Sequence, residues 1–333
     1  MFVRNSNGSI SLLVIYVNDA LCVFGSEEDK NVTIGLLEQR FRIEVRMDPT
    51  SFVGLELERA EGMIRIHQRR YIERMAEMFS LNNENHVTTP MEPCLKIEKS
   101  LTQNTDREFR RYIGALLRVS RFSRPDVAFA VNKSSQFQEY VTPEIKAYAR
   151  RIIRYLFNTR YLAVKYRSAE EQVIRVFCDA SYAPNITYSE TGEQVGTDCY
   201  SISSLLVYHR GNLVNWSTKR RSIVTTSTTA AEIVAISGNI DAILIPREVL
   251  LKLYNERKAV LLYEDNTSTT KVCNGSQNKK MRHVLIKAAA VREAIEQGEI
   301  CMENVDRDHQ LADLLTKSVS SEKFLRLRNF LVE

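Results

Sequence analysis

The chain has 333 residues, of which 26% are charged and 44% hydrophobic, and its formal net charge is +5 at pH 7. This composition is typical of globular proteins and excludes an intrinsically disordered chain, and the length is sufficient for two domains with separate cores. The six cysteines include no Cys-x-x-Cys pair, which argues against a structural zinc site and a disulfide framework. We therefore expect an intracellular protein, in the cytoplasm or the nucleus.

The first predicted element is a β-hairpin. Apolar residues at 12–17 and 20–24 indicate two strands on either side of Asn18 and Asp19, which tolerate tight turns. The apolar run is too short to span a bilayer and contains this polar pair, so we expect no membrane partner. A second interpretation of the pair is the metal-binding hairpin of a polymerase, in which an amide replaces one carboxylate.

Helices dominate the following segment. Helical spacing appears in 31–45, and a strand, a turn at Glu61 and Gly62 and a second strand precede an amphipathic helix from about Gln68. The pattern predicts three further helices, at 107–122, 125–140 and 142–158.

A basic stripe coincides with these helices. Residues 101–167 contain 14 Lys and Arg against 5 Asp and Glu, with aromatic residues between them. Such a stripe suits a polyanion, most commonly nucleic acid, although a solvated helical face explains the charge equally well. The side chains predicted to contact phosphates are Arg110, Arg111, Arg118, Arg150, Arg151 and Arg154.

The pattern changes from helices to strands near residue 168. Three strand-like segments are followed by a long helix at 229–253, a strand that ends at Asp265, two helices, a further strand and a final helix from about Gln310. Antiparallel strands followed by alternating strands and helices predict an α/β fold with a mixed sheet. We therefore divide the chain into domains at 1–168 and 169–333.

Four acidic residues occupy positions that suit a sheet-based active site. Asp179 and Asp265 each end an apolar strand, Glu232 lies early in the long helix, and Asp313 lies in the predicted first turn of the last helix. If the two strands are adjacent, all four carboxylates lie at one edge of the sheet. Like charges repel in such a pocket, and two magnesium ions, or manganese, would neutralise them and support phosphodiester cleavage.

The motifs along the chain resemble the C-terminal part of the Pol polyprotein of copia-type retrotransposons. "YVND" stands where that family has Tyr-Val-Asp-Asp, and further matches follow in family order over nearly the whole chain: "FVGLEL", "YIGALLRVSRFSRPDVAFAVN", "CDASYA", "VNWSTKR", "STTAAEIVAIS", "YEDNTS" and "QLADLLTKSVSSEKFLRLR". The resemblance implies a truncated reverse transcriptase, with its palm hairpin and thumb or connection region, followed by a ribonuclease H-like domain.

In that family, the residues that match Asp179, Glu232, Asp265 and Asp313 bind two magnesium ions and cut the RNA strand of RNA–DNA hybrids. Trp216 matches a family tryptophan that we interpret as structural packing.

The chain also departs from the family pattern. Asn18 replaces the first aspartate of the polymerase pair and binds magnesium more weakly than a carboxylate, so Asn18 and Asp19 form a degenerate site. No acidic residue precedes Tyr16, and polymerase activity is therefore not expected. Pro246 falls inside the predicted long helix, where it costs about 3 kcal/mol unless the helix breaks there.

A single histidine marks a further departure. His283 belongs to a family segment, but Leu285 and Ala289 stand where the family usually has an aspartate and a second histidine. Such a histidine is more often packing than chemistry, so we do not expect it to be catalytic.

These observations leave two main functional hypotheses. The first is a metal-dependent ribonuclease H on an incomplete reverse transcriptase scaffold. The second is a catalytically inactive transposon remnant or a module that only binds nucleic acid, for which the basic stripe would supply salt-sensitive phosphate contacts. A third hypothesis is that the sequence is one part of a larger Pol chain.

Overall fold

The structure is a computed structural model, and it describes residues 1–6, 9–81, 85–93, 102–169, 173–182, 199–276 and 284–333. The described residues form three sheets and a set of helices, so the predicted mixed α/β fold is confirmed.

A three-stranded antiparallel sheet opens the chain. It consists of β1 (Phe2–Ser6), β2 (Ser9–Tyr16) and β3 (Asp19–Val23) in sequence order. Tyr16 pairs with Asp19, so the hairpin turn consists of Val17 and Asn18, one residue earlier than the Asn18–Asp19 tip predicted. Val17 has a φ of 54°, which fits the first position of a type II′ turn but is strained for a β-branched residue.

A second sheet joins elements that are distant in the sequence. It follows α1 (Glu27–Glu38) and contains β4 (Ser51–Phe52), β5 (Leu55–Ala60), β6 (Met63–His67) and β7 (Val164–Arg167). The predicted turn at Glu61 and Gly62 joins β5 to β6, and α2 (Arg69–Met78) then begins as expected.

Helices α3 (Arg107–Phe122), α4 (Ala128–Ser135) and α5 (Pro143–Asn158) form the helical layer that includes the basic stripe. The bounds of α3 agree with the prediction, and Asp106 caps it by accepting a hydrogen bond from the Phe109 amide at 2.9 Å. The second predicted helix, at 125–140, is shorter than expected: its first turn is a 3₁₀ turn at Pro125–Val127, and the α-helix ends at Ser135.

A buried ion pair lies at the centre of this layer. Arg124, with 0% exposure, donates from Nε and Nη2 to the two carboxylate oxygens of Asp126 at 2.9 and 2.7 Å. The same guanidinium donates to the carbonyl and hydroxyl oxygens of Thr159 at 3.0 and 2.8 Å, and the Tyr155 hydroxyl donates to Asp126 at 2.7 Å. These bonds tie the end of α3 to the end of α5.

The third sheet has five strands. These are β8 (Ile174–Ser181), β9 (Tyr200–His209), β10 (Asn212–Val224), β11 (Val260–Glu264) and β12 (Ile300–Asn304). Their order is β10-β9-β8-β11-β12, in which the first three are antiparallel neighbours and β11 runs parallel to both β8 and β12. This is the mixed sheet predicted for the second half.

The predicted long helix is two helices. Helix α6 (Thr228–Ser237) ends at Gly238, and α7 (Ile240–Tyr254) continues through Pro246, so the break does not occur at the proline. The remaining helices are α8 (Thr267–Cys273), α9 (Leu285–Glu296) and α10 (Ser321–Arg328). Thr228–Tyr254 is the one described stretch long and apolar enough to cross a membrane by composition, and half of its most apolar window is buried inside the protein.

Substituting Pro246 by alanine is expected to stabilise the protein by about 1–2 kcal/mol, because alanine restores the backbone donor and removes the ring clash inside α7. Urea denaturation of the full chain would measure this change. The matched control is Pro143→Ala at the start of α5, where a proline is tolerated and no gain is expected. Equal or lower stability of Pro246→Ala relative to the wild type would contradict the expectation.

The two faces of the five-stranded sheet pack against different layers. One face packs against α6 and α9, whereas the other, through residues such as Leu206 and Tyr208, joins the core of the helical layer. Phe324 and Leu327 of α10 belong to this second core, and the Trp216 indole donates to the Ser120 carbonyl at 2.7 Å. The domain division at residue 168 stays a prediction, and it falls between halves that share a core.

Candidate active site

Parallel pairing of the two central strands brings two carboxylates to one edge of the five-stranded sheet. Leu261, Leu262 and Tyr263 of β11 pair in register with residues 175–177 of β8. The two strands therefore end at the same edge of the sheet, with Asp179 near the end of β8 and Asp265 directly after β11. The adjacency on which the sequence prediction depended is present.

Helix α6 supplies a third carboxylate. Ser227 caps this helix by accepting a hydrogen bond from the Ala230 amide at 3.1 Å, and the buried side of the helix packs against β8. Glu232 is 4% exposed, and one ligand oxygen from each of Asp179, Glu232 and Asp265 lies within 4.8 Å of the others. We call these three residues the acidic triad.

The triad suits a divalent cation. Its ligands are carboxylate oxygens, which magnesium, calcium and manganese prefer. Glu232 Oε2 is buried and has no hydrogen-bond partner among the described residues, although the carboxylate accepts a bond from the Ala180 amide. A buried oxygen without a donor is costly in a metal-free protein, and a cation at the triad would remove that cost.

Asp313 lies beside the triad rather than in it. It belongs to a 3₁₀ segment, Leu311–Leu315, and not to the first turn of the last helix as predicted, because α10 begins later. Asp313 is 2% exposed, and two lysines hold it: Lys317 Nζ is 2.5 Å from Oδ1 and Lys323 Nζ is 2.8 Å from Oδ2. Sequence reasoning missed both lysines, although Lys317 stands four residues after Asp313, a usual spacing for an ion pair.

Lys317 also links Asp313 to the triad. Its Nζ is 3.8 Å from Asp179 Oδ2, which accepts a short hydrogen bond from the Thr316 hydroxyl as well. The ammonium therefore lies between the carboxylates of Asp179 and Asp313.

The electrostatics of the site oppose full ionisation of its acids. Burial is the main cause that raises the pKa of Asp179 to about 6, and Asp313 and Asp265 add to it while Lys317 opposes it. Burial also raises the pKa of Glu232 well above its ordinary value, with Glu264 as the next cause, and it raises the pKa of Asp265. Perturbed carboxylates of this kind are typical of functional sites.

Glu264 is a further buried acid that sequence reasoning missed. Its side chain is 0% exposed, and Oε1 accepts a hydrogen bond from the Asn266 amide at 3.0 Å. Burial is the main cause that raises its pKa well above the ordinary value, and the charges of Asp265 and Asp179 act in the same direction. The signal in the sequence was a second acid at the end of an otherwise apolar strand.

The predicted polymerase pair is remote from such an environment. Asn18 and Asp19 are both exposed, one in the hairpin turn and the other at the start of β3. Within the described ranges, the acids close enough to share a metal ion are those of the acidic triad, and Asp19 is not among them. The expectation that this hairpin does not support polymerisation stays a prediction.

The arginines predicted to contact phosphates lie on α3 and α5, and several have partners inside the protein. Arg151 Nη1 is 2.9 Å from Glu92 Oε1, and the Arg118 guanidinium lies over the Tyr71 ring at 5.4 Å. Arg111 lies over the ring of Phe79. Arg110 is exposed, whereas Arg150 and Arg154 are partly buried. Their role in nucleic-acid binding stays a prediction.

His283 lies outside the described residues. Leu285 and Ala289, which replace the family's aspartate and histidine, are both exposed on α9. Trp216 makes the structural contact expected of it, since it bridges β10 and α3.

The protein is thus a mixed α/β protein in which Asp179 and Asp265, at the carboxyl ends of two parallel strands, lie close to Glu232 of α6. Over 97% of its length the chain is similar to retrovirus-related Pol polyproteins, with 29% identity to that of transposon RE1 and 26% to that of RE2, both from Arabidopsis thaliana, and 25% to that of TNT 1-94 from Nicotiana tabacum. The chain is therefore similar over nearly its whole length to copia-type retrotransposon Pol polyproteins, as its motifs indicated. It spans 22–24% of the length of these relatives. No protein-family model matches the chain.

Two solved structures show a weaker similarity. LC11 ribonuclease H1, isolated from compost by a metagenomic approach, covers 44% of this chain and 94% of its own at 15% identity and a TM-score of 0.34. The N-terminal RNase H domain of Rv2228c from Mycobacterium tuberculosis covers 48% and 98% at 12% identity and a TM-score of 0.30. These TM-scores are low, and the mixed α/β fold is defined by the order and direction of the five strands of the third sheet.

Proposed function

We propose that the second half of this chain is a metal-dependent ribonuclease H that cleaves the RNA strand of RNA–DNA hybrids. The observation that carries the proposal is the acidic triad of Asp179, Glu232 and Asp265, whose ligand oxygens lie within 4.8 Å of one another in a largely buried pocket. The similarity to transposon Pol polyproteins supports the same conclusion, since the motifs shared with that family imply a ribonuclease H-like domain.

Magnesium, or manganese in its place, is the proposed cofactor. When bound, it would activate a water molecule and stabilise the leaving oxygen of the cleaved phosphodiester. Asp179, Glu232 and Asp265 would hold it. Asp313 would be a further ligand beside them. We propose that two ions are bound during cleavage.

The residues of the chain prepare this site in specific ways. The Thr316 hydroxyl, by donating to Asp179, fixes the orientation of that carboxylate, and the Ala180 amide does the same for Glu232. The surrounding core excludes water from the inner side of the triad, which strengthens its attraction for a cation.

The proposed setting is intracellular, and the proposed partner is an RNA–DNA hybrid, with the six arginines of α3 and α5 named above as candidate phosphate contacts. The first half, with a degenerate hairpin at Asn18 and Asp19, contributes scaffold and not polymerisation.

A cleavage assay with the full chain tests the proposal. We expect Mg²⁺-dependent cutting of the labelled RNA strand in a hybrid, no cutting of the DNA strand, and no cutting in EDTA. Glu232→Gln is expected to reduce the rate by about 10²–10³-fold or more, because the amide keeps the shape of the side chain but removes its charge.

Glu61→Gln, at the exposed turn between β5 and β6, is the matched control and should retain full activity. Binding of the hybrid without cleavage in Mg²⁺ or Mn²⁺ would contradict the enzyme and favour the inactive, nucleic-acid-binding hypothesis.

A further inference from the structure

Lys317 forms ion pairs with both Asp179 and Asp313. Its Nζ is 2.5 Å from Asp313 Oδ1 and 3.8 Å from Asp179 Oδ2. Asp313 is not among the residues whose ligand oxygens lie within 4.8 Å of one another. A cation that used both Asp313 and Asp179 as ligands would bind where the ammonium already lies.

The surroundings of Lys317 allow it to leave this position. Its side chain is 41% exposed, in contrast to the 3% exposure of the side chains of Asp179 and Asp313. Rotation of the long side chain would place the ammonium in solvent, where hydration replaces part of the lost attraction. Asp313 would remain paired with Lys323, whose Nζ is 2.8 Å from Oδ2.

Charge balance gives the ammonium a function when no substrate is present. Two buried carboxylates that face each other repel strongly, and one positive charge between them reduces that repulsion. A divalent ion does the same with a larger charge, but it has to displace the ammonium first.

We propose that Lys317 is a built-in counter-ion that occupies the position of a second divalent ion. The substrate-free protein accordingly binds one ion at the acidic triad, and a second ion binds between Asp179 and Asp313 only when the Lys317 side chain moves away. This inference rests on the proposed function, and it adds a positioning residue that controls how many ions the site holds.

Binding of Mn²⁺ to the full-length protein without nucleic acid tests the inference, with isothermal titration calorimetry and the electron paramagnetic resonance signal of free Mn²⁺ as readouts. The wild type is expected to bind about one ion, and Lys317→Met about two, with affinity for the second ion higher by about tenfold or more. Methionine keeps much of the length of the side chain and removes its charge.

Lys323→Met is the matched control, because Lys323 pairs with the other oxygen of Asp313, Oδ2, whereas among the described residues the ion pair of Asp179 is with Lys317. This variant is expected to bind about one ion, as the wild type does. Circular dichroism and thermal melting in EDTA would establish that each variant is folded before binding is compared.

The outcomes separate the inference from the proposed function. Two ions of similar affinity in the wild type, or a single ion in a folded Lys317→Met variant, would refute the role of Lys317 and leave the nuclease intact. No Mn²⁺ binding to the folded wild type or to either folded variant would refute the metal centre, and both proposals with it.

Discussion

Replacing Arg124 by leucine is expected to lower the free energy of unfolding by about 3–5 kcal/mol. The substitution removes four hydrogen bonds to Asp126 and Thr159 and leaves the Asp126 carboxylate buried without its cation. The Tyr155 hydroxyl would still donate to that carboxylate, but a neutral donor does not balance its charge. Urea denaturation followed by circular dichroism would measure the loss.

Two further variants show whether burial causes the effect. Arg46→Met breaks an ion pair with Glu44 in which both side chains are about three-quarters exposed, and because solvent screens such a pair we expect no measurable loss of stability. The double variant Arg124→Leu with Asp126→Leu should be less damaging than the sum of the single variants, because no isolated charge stays buried. If Arg124→Leu were as harmless as Arg46→Met, the buried pair would not organise the helical layer.

Asp179→Asn is expected to change activity and stability in opposite directions. Hybrid cleavage should fall by about 10²–10³-fold or more, because the triad loses one of its three charges. In EDTA at pH 8, however, the variant should be more stable than the wild type by about 1–2 kcal/mol, because ionising this group opposes folding. Burial, with help from Asp313 and Asp265, raises the pKa of Asp179 to about 6.

The sign of this effect fixes its pH dependence. For an acid whose pKa is raised in the folded protein, the associated stability is complete below the pKa of the unfolded chain and is lost as the pH rises through about 6. The advantage of Asp179→Asn in EDTA should therefore be larger at pH 8 than at pH 5, as thermal denaturation at the two values would show. Asp241→Asn, at an exposed position of α7, should show no such dependence. An equal effect of Asp179→Asn at both values would mean that burial of its charge does not oppose folding.

Local signals in the sequence were sufficient for several elements. The bounds of α3 agree with the helix predicted at 107–122, and the turn before β6 agrees with the one predicted at Glu61 and Gly62. The edge shared by Asp179 and Asp265 was predicted on the condition that their strands are adjacent, and the parallel pairing of β11 with β8 meets that condition.

Other features depend on contacts between distant residues, which local patterns do not contain. The hairpin turn lies at Val17 and Asn18 because Tyr16 and Asp19 pair, a register that polar residues alone did not specify. The long helix breaks at Gly238 and not at Pro246, so a strong helix breaker did not mark the actual end. The ion pair of Lys317 with Asp179 was not predictable either, because the two residues are far apart in the sequence.

The C-terminal residues of the chain contact residues of its first half. Ala163 and Glu333 exchange two backbone hydrogen bonds of 3.0 Å, and the rings of Phe324 and Tyr155 meet edge to face at 5.8 Å. The covalent link after β7 is therefore not what holds the halves together. Residues 169–333 separated from the first half would expose the apolar surface of the shared core, so we expect them to be unstable when expressed alone.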